Sequence, residues 1–219
     1  MICGKAEDGM DSAKVTWRGT LLAVQPRIRL TRSFDERSHS YLGYALFLRG
    51  AVAGEAREFS VGIGKSAQAK HGFRAGDEVS GEAVAVANPE REPAEFYKAS
   101  ALKLLARGEE ASTSPPPWLG VPPALETYRA RGHRRLDART YEAKCRACLW
   151  GCRMPVEMIL DQWNPQEREH RFETFCYGPK SCLAYRAGPT RKVPGRKGMR
   201  WEEEDWVDEE ATAHCGADE

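Results

Sequence analysis

The sequence has no long hydrophobic run, almost no net charge and few histidines. Among its 219 residues, no apolar stretch approaches the roughly 18 residues that a membrane-spanning helix needs. Residues 1–8 include acidic side chains and lack the apolar segment of a signal peptide. We therefore expect a soluble, cytoplasmic protein that makes no use of a membrane.

Recognisable catalytic motifs are also missing. Neither His-x-Glu nor His-Glu-x-x-His, the patterns of catalytic zinc sites, occurs in the chain, and its five histidines are scattered. Without an identifiable Ser or Cys partner, none of these histidines indicates a nucleophilic triad. The sequence thus favours a non-catalytic protein over an enzyme.

Charge is balanced overall but sorted along the chain. The 33 basic and 32 acidic residues give a net charge of +1. Residues 128–140 carry five arginines and one acid, residues 186–200 carry six bases and no acid, and residues 201–219 carry nine acids and no Lys or Arg. Such runs are commonly solvated faces, but they also suit two phosphate-binding arms with an acidic tail as competitor.

The first half carries the alternating patterns of β-strands. Three strands are predicted at 14–31, 41–48 and 59–63, a short helical link at 64–72, and two more strands after the turn at 74–77, the last at 96–105. Gly81 in the fourth strand indicates a bulge or the close approach of another segment.

This order, within about a hundred residues, resembles the OB-fold, a five-stranded Greek-key barrel. The resemblance covers residues 13–108, and another small β-barrel remains the alternative. It implies a ligand groove across the second and third strands and their flanking loops, which OB-folds commonly use for single-stranded nucleic acid.

Basic and aromatic side chains provide the candidate nucleic-acid contacts. Arginine neutralises phosphate and stacks on bases, and aromatic rings stack on bases as well. The candidates are Arg27, Arg29, Arg32, Tyr41, Arg49, Arg57, Arg191, Lys192, Arg196 and Lys197. Tyr44 and Phe47 lie inside strand patterns, where an aromatic residue more often belongs to the core.

A proline-rich stretch, residues 109–124, contains five prolines and predicts a stiff connector. It divides the chain into a polar tail (1–12), the barrel (13–108), the linker, and a cysteine-rich region (125–219). We expect a mainly β protein, in which an N-terminal five-stranded OB-like barrel is joined to a small α+β metal-binding domain.

Five of the seven cysteines lie within residues 145–182, which in a cytoplasmic protein favours metal ligands. The CxxC pair Cys145 and Cys148 places two thiolates on one turn, and a looser pair, Cys176 and Cys182, would complete a tetrahedron. This spacing resembles a four-cysteine module of the zinc-ribbon type and predicts a structural Zn²⁺. Cys152 is the spare or alternate ligand.

An iron–sulfur cluster is the alternative for the same cysteines. Three close thiolates, from Cys145, Cys148 and Cys152, with Cys176 or Cys182 as the fourth, could hold a [4Fe–4S] cluster, although the spacing follows neither common ferredoxin pattern. A metal-free thiol or disulfide arrangement also stays open. The terminal residues Cys3 and Cys215 are expected to take no part.

Barrel, cysteines and basic segments together predict a nucleic-acid-binding protein for RNA or single-stranded DNA, with a structural zinc site. Two alternatives come from other classes. One is a protein-interaction or scaffold module that meets its partner through the acidic tail, residues 201–219. The other is an iron–sulfur redox protein.

Overall fold

The protein is mainly β in the computed structural model, which describes residues 13–34, 37–109, 115–161, 163–195, 199–202 and 212. The strands are β1 (Lys14–Arg32), β2 (Arg37–Val52), β3 (Glu55–Ile63), β4 (Glu78–Ala85), β5 (Phe96–Ala106), β6 (Arg134–Arg135), β7 (Gly151–Ile159), β8 (Arg168–Cys176), β9 (Lys192–Pro194) and β10 (Arg200–Glu202). The first eight form one sheet, and β9 pairs with β10 alone.

The helices are short. They are α1 (Lys65–His71), α2 (Leu125–Arg131) and α3 (Ala138–Thr140), which runs into a π-helical turn at Tyr141–Cys145. In the part of the chain that the structure describes, no helix is both long enough and apolar enough to cross a membrane.

The first five strands close on themselves. Pairing runs from β1 to β2, β3, β5 and β4 and returns to β1, and every one of these pairs is antiparallel except β3 with β5. The helix α1 lies between β3 and β4. The five predicted strands and the helical link between the third and fourth are therefore confirmed.

The length and bend of β1 allow it to pair on several sides. It pairs with β2 along most of its length and with β4 over Lys14–Thr20. Two register shifts, after Leu21 and after Arg27, bend the strand. Alternating apolar side chains of these strands fill the interior, among them Leu21, Ile28, Leu46, Leu48, Val61 and Val79.

The predicted turn at 74–77 is held by a buried carboxylate. Asp77 is fully buried and accepts hydrogen bonds from the backbone N–H groups of Arg74 and Gly108, both at 3.1 Å. The guanidinium of Arg107 lies 2.9 Å from the same carboxylate. These contacts tie the start of β4 to the end of β5 and satisfy the buried charge.

The second half of the chain extends the barrel's sheet. The strand β7 runs parallel to the end of β1, with Leu30 opposite Val156, and β8 pairs with β7 as a hairpin. Apolar side chains from α2, β7 and β8 join the barrel's hydrophobic core. The predicted division at 109–124 stays a prediction, and the strands on either side of that stretch belong to one sheet.

Candidate nucleic-acid interface

A glutamine of the barrel holds the turn that carries the first cysteine pair. Gln25 on β1 is buried, and its Nε2 lies 3.0 Å from the carbonyl oxygen of Cys145, 3.1 Å from that of Arg146 and 2.9 Å from that of Cys148. Its Oε1 accepts a hydrogen bond from the Tyr141 hydroxyl at 2.7 Å. One barrel side chain thus satisfies the carbonyl groups of the cysteine turn and fixes its position on β1.

The close packing around this contact requires glycine at position 151. A Cβ at Gly151 would lie 2.5 Å from the carbonyl oxygen of Cys145 and 2.8 Å from Nε2 of Gln25. Gly151 also donates its backbone N–H to the carbonyl oxygen of Cys148 at 3.0 Å. The glycine therefore lets β7 begin directly against the turn.

Three of the four cysteines predicted as ligands pack together in the fold. Cys145, Cys148 and Cys176 pack in one hydrophobic cluster that is separate from the main core. Cys182 is near enough that its thiol contributes to raising the pKa of Cys145. None of the five described cysteines forms a disulfide.

Burial raises the pKa of the three thiols that pack in this cluster. Burial, followed by the nearby thiols, raises the pKa of Cys145 to about 12. Burial likewise raises the pKa of Cys148 to about 11 and raises that of Cys176. Opposing this, the backbone N–H of Gly178 donates to Sγ of Cys176 at 3.3 Å, which favours the thiolate. A bound cation would reverse the balance, because a coordinating thiol loses its proton.

The arrangement of these cysteines is not a closed metal site. Within the described ranges, no group of three or more His, Cys, Asp or Glu side chains has the geometry to hold a metal ion. The donor chemistry nevertheless fits zinc, since four thiols from two turns are the set of a structural zinc site with all-cysteine ligands. Ligation would require their sulfur atoms to draw together.

Cys152, the predicted spare, lies elsewhere. It is fully buried in the main core, and its thiol donates to the carbonyl oxygen of Pro26 at 3.4 Å. Burial raises its pKa to about 12. Its side chain therefore packs against β1 rather than in the cluster that holds Cys145, Cys148 and Cys176.

A cleft of about 460 Å³ lies beside the cysteine turn. The barrel lines it with residues of β2, β3 and the 86–95 loop, and the second half lines it with Arg146, Arg153 and Phe172. Phe47 and Phe172 are half-buried, so each presents part of its ring to the cleft. The guanidinium of Arg153 lies 4.1 Å from the ring centroid of Phe172.

Arginines surround the carboxylates of this cleft. The pairs are Glu58 with Arg49 at 2.8 Å, Glu92 with Arg27 at 3.7 Å, and Glu95 with Arg57 at 2.6 Å. Arg146 also lies 3.4 Å from Glu58, whereas Arg153 makes no ion pair with any described residue. Of these five arginines, Arg146 and Arg153 line the cleft itself, and the other three neutralise its three carboxylates from beside it.

Of the residues predicted to contact nucleic acid, Arg27, Arg49 and Arg57 pair with carboxylates of the cleft but do not themselves line it. Burial lowers the pKa of Arg27, and its partner Glu92 opposes that effect. Arg29 donates to the carbonyl oxygen of Arg91 at 3.2 Å. These contacts engage the arginines with groups of the protein itself, although most of the Arg49 side chain stays exposed.

The remaining candidates lie away from the cleft lining. Arg32 is buried, and Tyr41 lies under the guanidinium of Arg129 at 4.8 Å. Arg191 pairs with Glu173 at 2.7 Å and covers the ring of Phe175 at 4.4 Å. Lys192 is exposed on β9. Arg196, Lys197, Cys3, Cys215 and most of the acidic tail lie outside the described residues.

Gln25, Arg146, Arg153 and Phe172 are functional candidates that sequence reasoning missed. A polar glutamine beside the apolar Ala23 and Val24 was a usable signal for Gln25. Arg146 was visible as the residue directly after a predicted ligand. Arg153 is the exposed residue of an otherwise buried strand start, which only the fold makes evident.

The chain matches no protein-family model, no curated protein and no solved structure.

Proposed function

We propose that the protein binds single-stranded nucleic acid, RNA or DNA, in the cleft between its barrel and the β7–β8 hairpin, and that zinc held by four cysteines stabilises one wall. The observation that carries the proposal is the cleft itself. It combines two half-buried phenylalanine rings with two arginines, Arg146 and Arg153, and its carboxylates are already paired with neighbouring arginines. Rings stack on bases of any sequence, and arginines neutralise the backbone phosphates.

The strand order supports an OB-type barrel. Closure through β1, β2, β3, β5 and β4, with a helix between β3 and β4, is the arrangement expected for that five-stranded Greek key. In OB-folds, strands two and three and the loop between strands four and five bind oligonucleotides. The cleft is lined by the corresponding elements, although fold analogy alone does not establish a function.

The zinc part of the proposal is supported by the donor set. Cys145, Cys148 and Cys176 pack in one cluster, and the thiol of Cys182 contributes to raising the pKa of Cys145. The thiol of Cys152 donates instead to Pro26 in the main core, which favours a four-thiolate zinc site over a [4Fe–4S] cluster built on the first three cysteines. When bound, zinc would supply structural cross-linking of the two turns.

Titration with labelled oligonucleotides tests the nucleic-acid proposal. Oligothymidine and oligouridine of about 12 nucleotides suit the site sizes of OB-type barrels, and a duplex of equal length serves as comparison. We expect single strands to bind more tightly than duplex, with affinity that falls steeply as salt rises from about 50 to about 200 mM. Binding that is insensitive to salt, or that prefers duplex, would contradict the proposal.

A charge variant tests whether the cleft is the binding surface. Arg153→Ala removes the arginine that covers Phe172, and Arg139→Ala removes an equally exposed arginine on α3. We expect only the first change to weaken binding, and to reduce the slope of log affinity against log salt by about 0.7, the value for one phosphate of a single strand. Equal effects of the two substitutions would place binding elsewhere.

A further inference from the structure

One carboxylate of the cleft differs from the other two in its surroundings. Glu92 lies in the 86–95 loop and lines the cleft, and only 10% of its side chain is exposed. The side chains of Glu58 and Glu95, which line the same cleft, are 39% and 48% exposed. The carboxylate of Glu92 is therefore the one that is withdrawn from bulk solvent into the cleft wall.

This buried carboxylate has a charged partner but lacks a hydrogen-bond donor. Nη1 of Arg27 lies 3.7 Å from Oε1 of Glu92, which is close enough for an ion pair but too long for a hydrogen bond. Among the described residues, none donates a hydrogen bond to this Oε1. A buried acceptor without a donor costs free energy. Because Arg27 already balances the charge, the partner that Glu92 still lacks is a neutral N–H donor rather than another cation.

The loop that carries Glu92 is fixed by its own contacts. Nε of Arg29 on β1 donates to the carbonyl oxygen of Arg91 at 3.2 Å. The backbone N–H of Ala94 hydrogen-bonds the carboxylate of Glu92; burial raises the pKa of that carboxyl, and this hydrogen bond is among the contacts that oppose the rise. The acceptor is thus held in place before a ligand binds, which lowers the entropic cost of using it.

We propose that Glu92 recognises the base that stacks in the cleft, and that the cleft prefers guanine among the bases of a single strand. The inference rests on the proposed function and adds the base preference of the same site. Guanine presents two adjacent donors, N1–H and the N2 amino group, on its Watson–Crick edge, and the two oxygens of a carboxylate can accept from both.

The other bases match a carboxylate less well. Thymine and uracil present a single N3–H between two carbonyl oxygens, and these oxygens repel an ionised carboxylate. Adenine and cytosine present an amino group beside a ring nitrogen that is itself an acceptor. Only guanine therefore offers a carboxylate two donors side by side.

Stacking and edge recognition act on different parts of one base. The half-buried rings of Phe47 and Phe172 meet the face of a base, whereas Glu92 accepts hydrogen bonds from its edge. Stacking on a ring tolerates every base. A preference for guanine over the other bases would therefore come from the carboxylate rather than from the rings.

The test compares strands that differ at one base, on the full-length protein. Labelled oligothymidine of about 12 nucleotides is titrated beside the same strand with one central guanine. We expect the guanine to tighten binding about 10-fold, the scale of a good bidentate contact. Inosine at that position lacks the N2 amino group and should lose most of the gain, whereas 7-deazaguanine, which is changed on its other edge, should keep it. Adenine, which stacks as a purine, should bind close to oligothymidine.

Glu92→Gln is the deciding variant, and Glu95→Gln is its matched control. Both substitutions remove one negative charge from the lining of the same cleft. We expect Glu92→Gln to reduce the preference for guanine from about 10-fold to less than about 2-fold while oligothymidine binds at least as tightly as before. Glu95→Gln should keep the preference. Circular dichroism checks that each variant folds, and the inosine comparison decides the matter on the unmodified protein if Glu92→Gln does not.

Each contrary outcome has its own meaning. Equal affinity for oligothymidine and the guanine strand overturns this inference and leaves the proposed function standing. A gain that adenine or inosine shares fully would come from stacking and overturns it as well, as does a preference for guanine that persists in Glu92→Gln. Failure of every one of these strands to bind at low salt overturns the proposed function, and the inference with it.

Discussion

The side-chain nitrogen of Gln25 lies 3.0 Å from the carbonyl oxygen of Cys145, although the two residues are 120 positions apart in the chain. This contact joins β1 of the barrel to the turn that carries the first cysteine pair. Both residues are buried, so the hydrogen bond forms where water cannot replace it. This barrel side chain therefore contributes to the position of the turn and of the cleft wall beside it.

Replacing Gln25 by leucine should destabilise the protein by about 2 to 3 kcal/mol, because buried carbonyl groups and the Tyr141 hydroxyl lose a partner. Gln68→Leu is the matched control. Gln68 is also buried, but its Nε2 donates to one carbonyl group, that of Phe73, at 2.8 Å. We expect it to cost about 1 kcal/mol in urea denaturation.

A second measurement localises the effect. In metal-free protein, Gln25→Leu should speed the reaction of Cys145 and Cys148 with a maleimide, because the turn loses its attachment to β1. Gln68→Leu should leave that rate unchanged. Equal destabilisation by both substitutions, or unchanged thiol reactivity in Gln25→Leu, would mean that the turn is held by other contacts.

Metal content should distinguish the four cysteines proposed as ligands from Cys152. We expect about one zinc per chain, and Cys145→Ser or Cys176→Ser should weaken zinc binding severely, because a site with four cysteine ligands uses every thiolate. Cys152→Ser should keep the zinc, since a serine hydroxyl can also donate to the carbonyl oxygen of Pro26. Elemental analysis of protein purified without oxygen or chelators gives the stoichiometry.

Three results would contradict this assignment. Loss of zinc in Cys152→Ser would make Cys152 a ligand. Iron and sulfide with visible absorbance would identify the iron–sulfur cluster. Full zinc content in Cys145→Ser would show that the metal binds elsewhere.

The barrel was predictable because its strands follow a simple rule. Residues such as Val61 and Ile63 alternate with side chains of the other face, and this period of two persists wherever one face of a strand is buried. The helical link between β3 and β4 was also predictable, because the segment between the two strand patterns is long enough for one or two helical turns. The proximity of Cys145 and Cys148 followed from the short reach of a CxxC turn.

The cleft could not be predicted, because it depends on contacts that are remote in sequence. The parallel pairing of Leu30 with Val156 brings β7 to the barrel, and no local pattern encodes that choice. The ion pairs of Arg49 with Glu58 and of Arg57 with Glu95 could not be predicted for the same reason, because the partners of each pair meet only when the chain folds. The sequence therefore identified the positively charged residues but not which of them pair with carboxylates of the protein.

Removing the carboxylate of Glu58 should strengthen nucleic-acid binding. Glu58→Gln frees Arg49 and Arg146 from their acidic partner and removes a negative charge from the cleft. We expect oligonucleotide affinity to rise about 5-fold at low salt, with a smaller gain at high salt because exposed charges are screened. Fluorescence anisotropy measures the change.

Glu78→Gln is the control for that gain. Glu78 is similarly exposed and pairs with Arg18 at 2.6 Å, but it lies on β4 and does not line the cleft. Its substitution changes the net charge by the same amount. An equal increase in affinity for Glu78→Gln would mean that net charge, rather than the cleft, controls binding.

A buried histidine pair should make the fold sensitive to mild acid. The rings of His39 and His133 are 4.8 Å apart, and Nε2 of His133 lies 3.1 Å from Nη2 of Arg37. Burial, followed by Arg37 and Arg32, lowers the pKa of His39 to about 4, and burial also lowers the pKa of His133 far below 6.5. Both rings are therefore neutral in the folded protein at pH 6.

The unfolded chain binds protons on these histidines below about pH 6.5, whereas the folded chain does not bind one on His39 until about pH 4. The free energy of unfolding is thus at its full value above pH 6.5 and falls as the pH drops toward 4, by up to about 1.4 kcal/mol per pH unit for each group. His39→Gln should make that fall shallower, whereas His71→Gln, at the end of α1, should have a smaller effect, because burial lowers the pKa of His71 less than that of His39. Urea denaturation between pH 7 and pH 4 measures the slope, and an unchanged slope in His39→Gln would show that other groups cause the acid sensitivity.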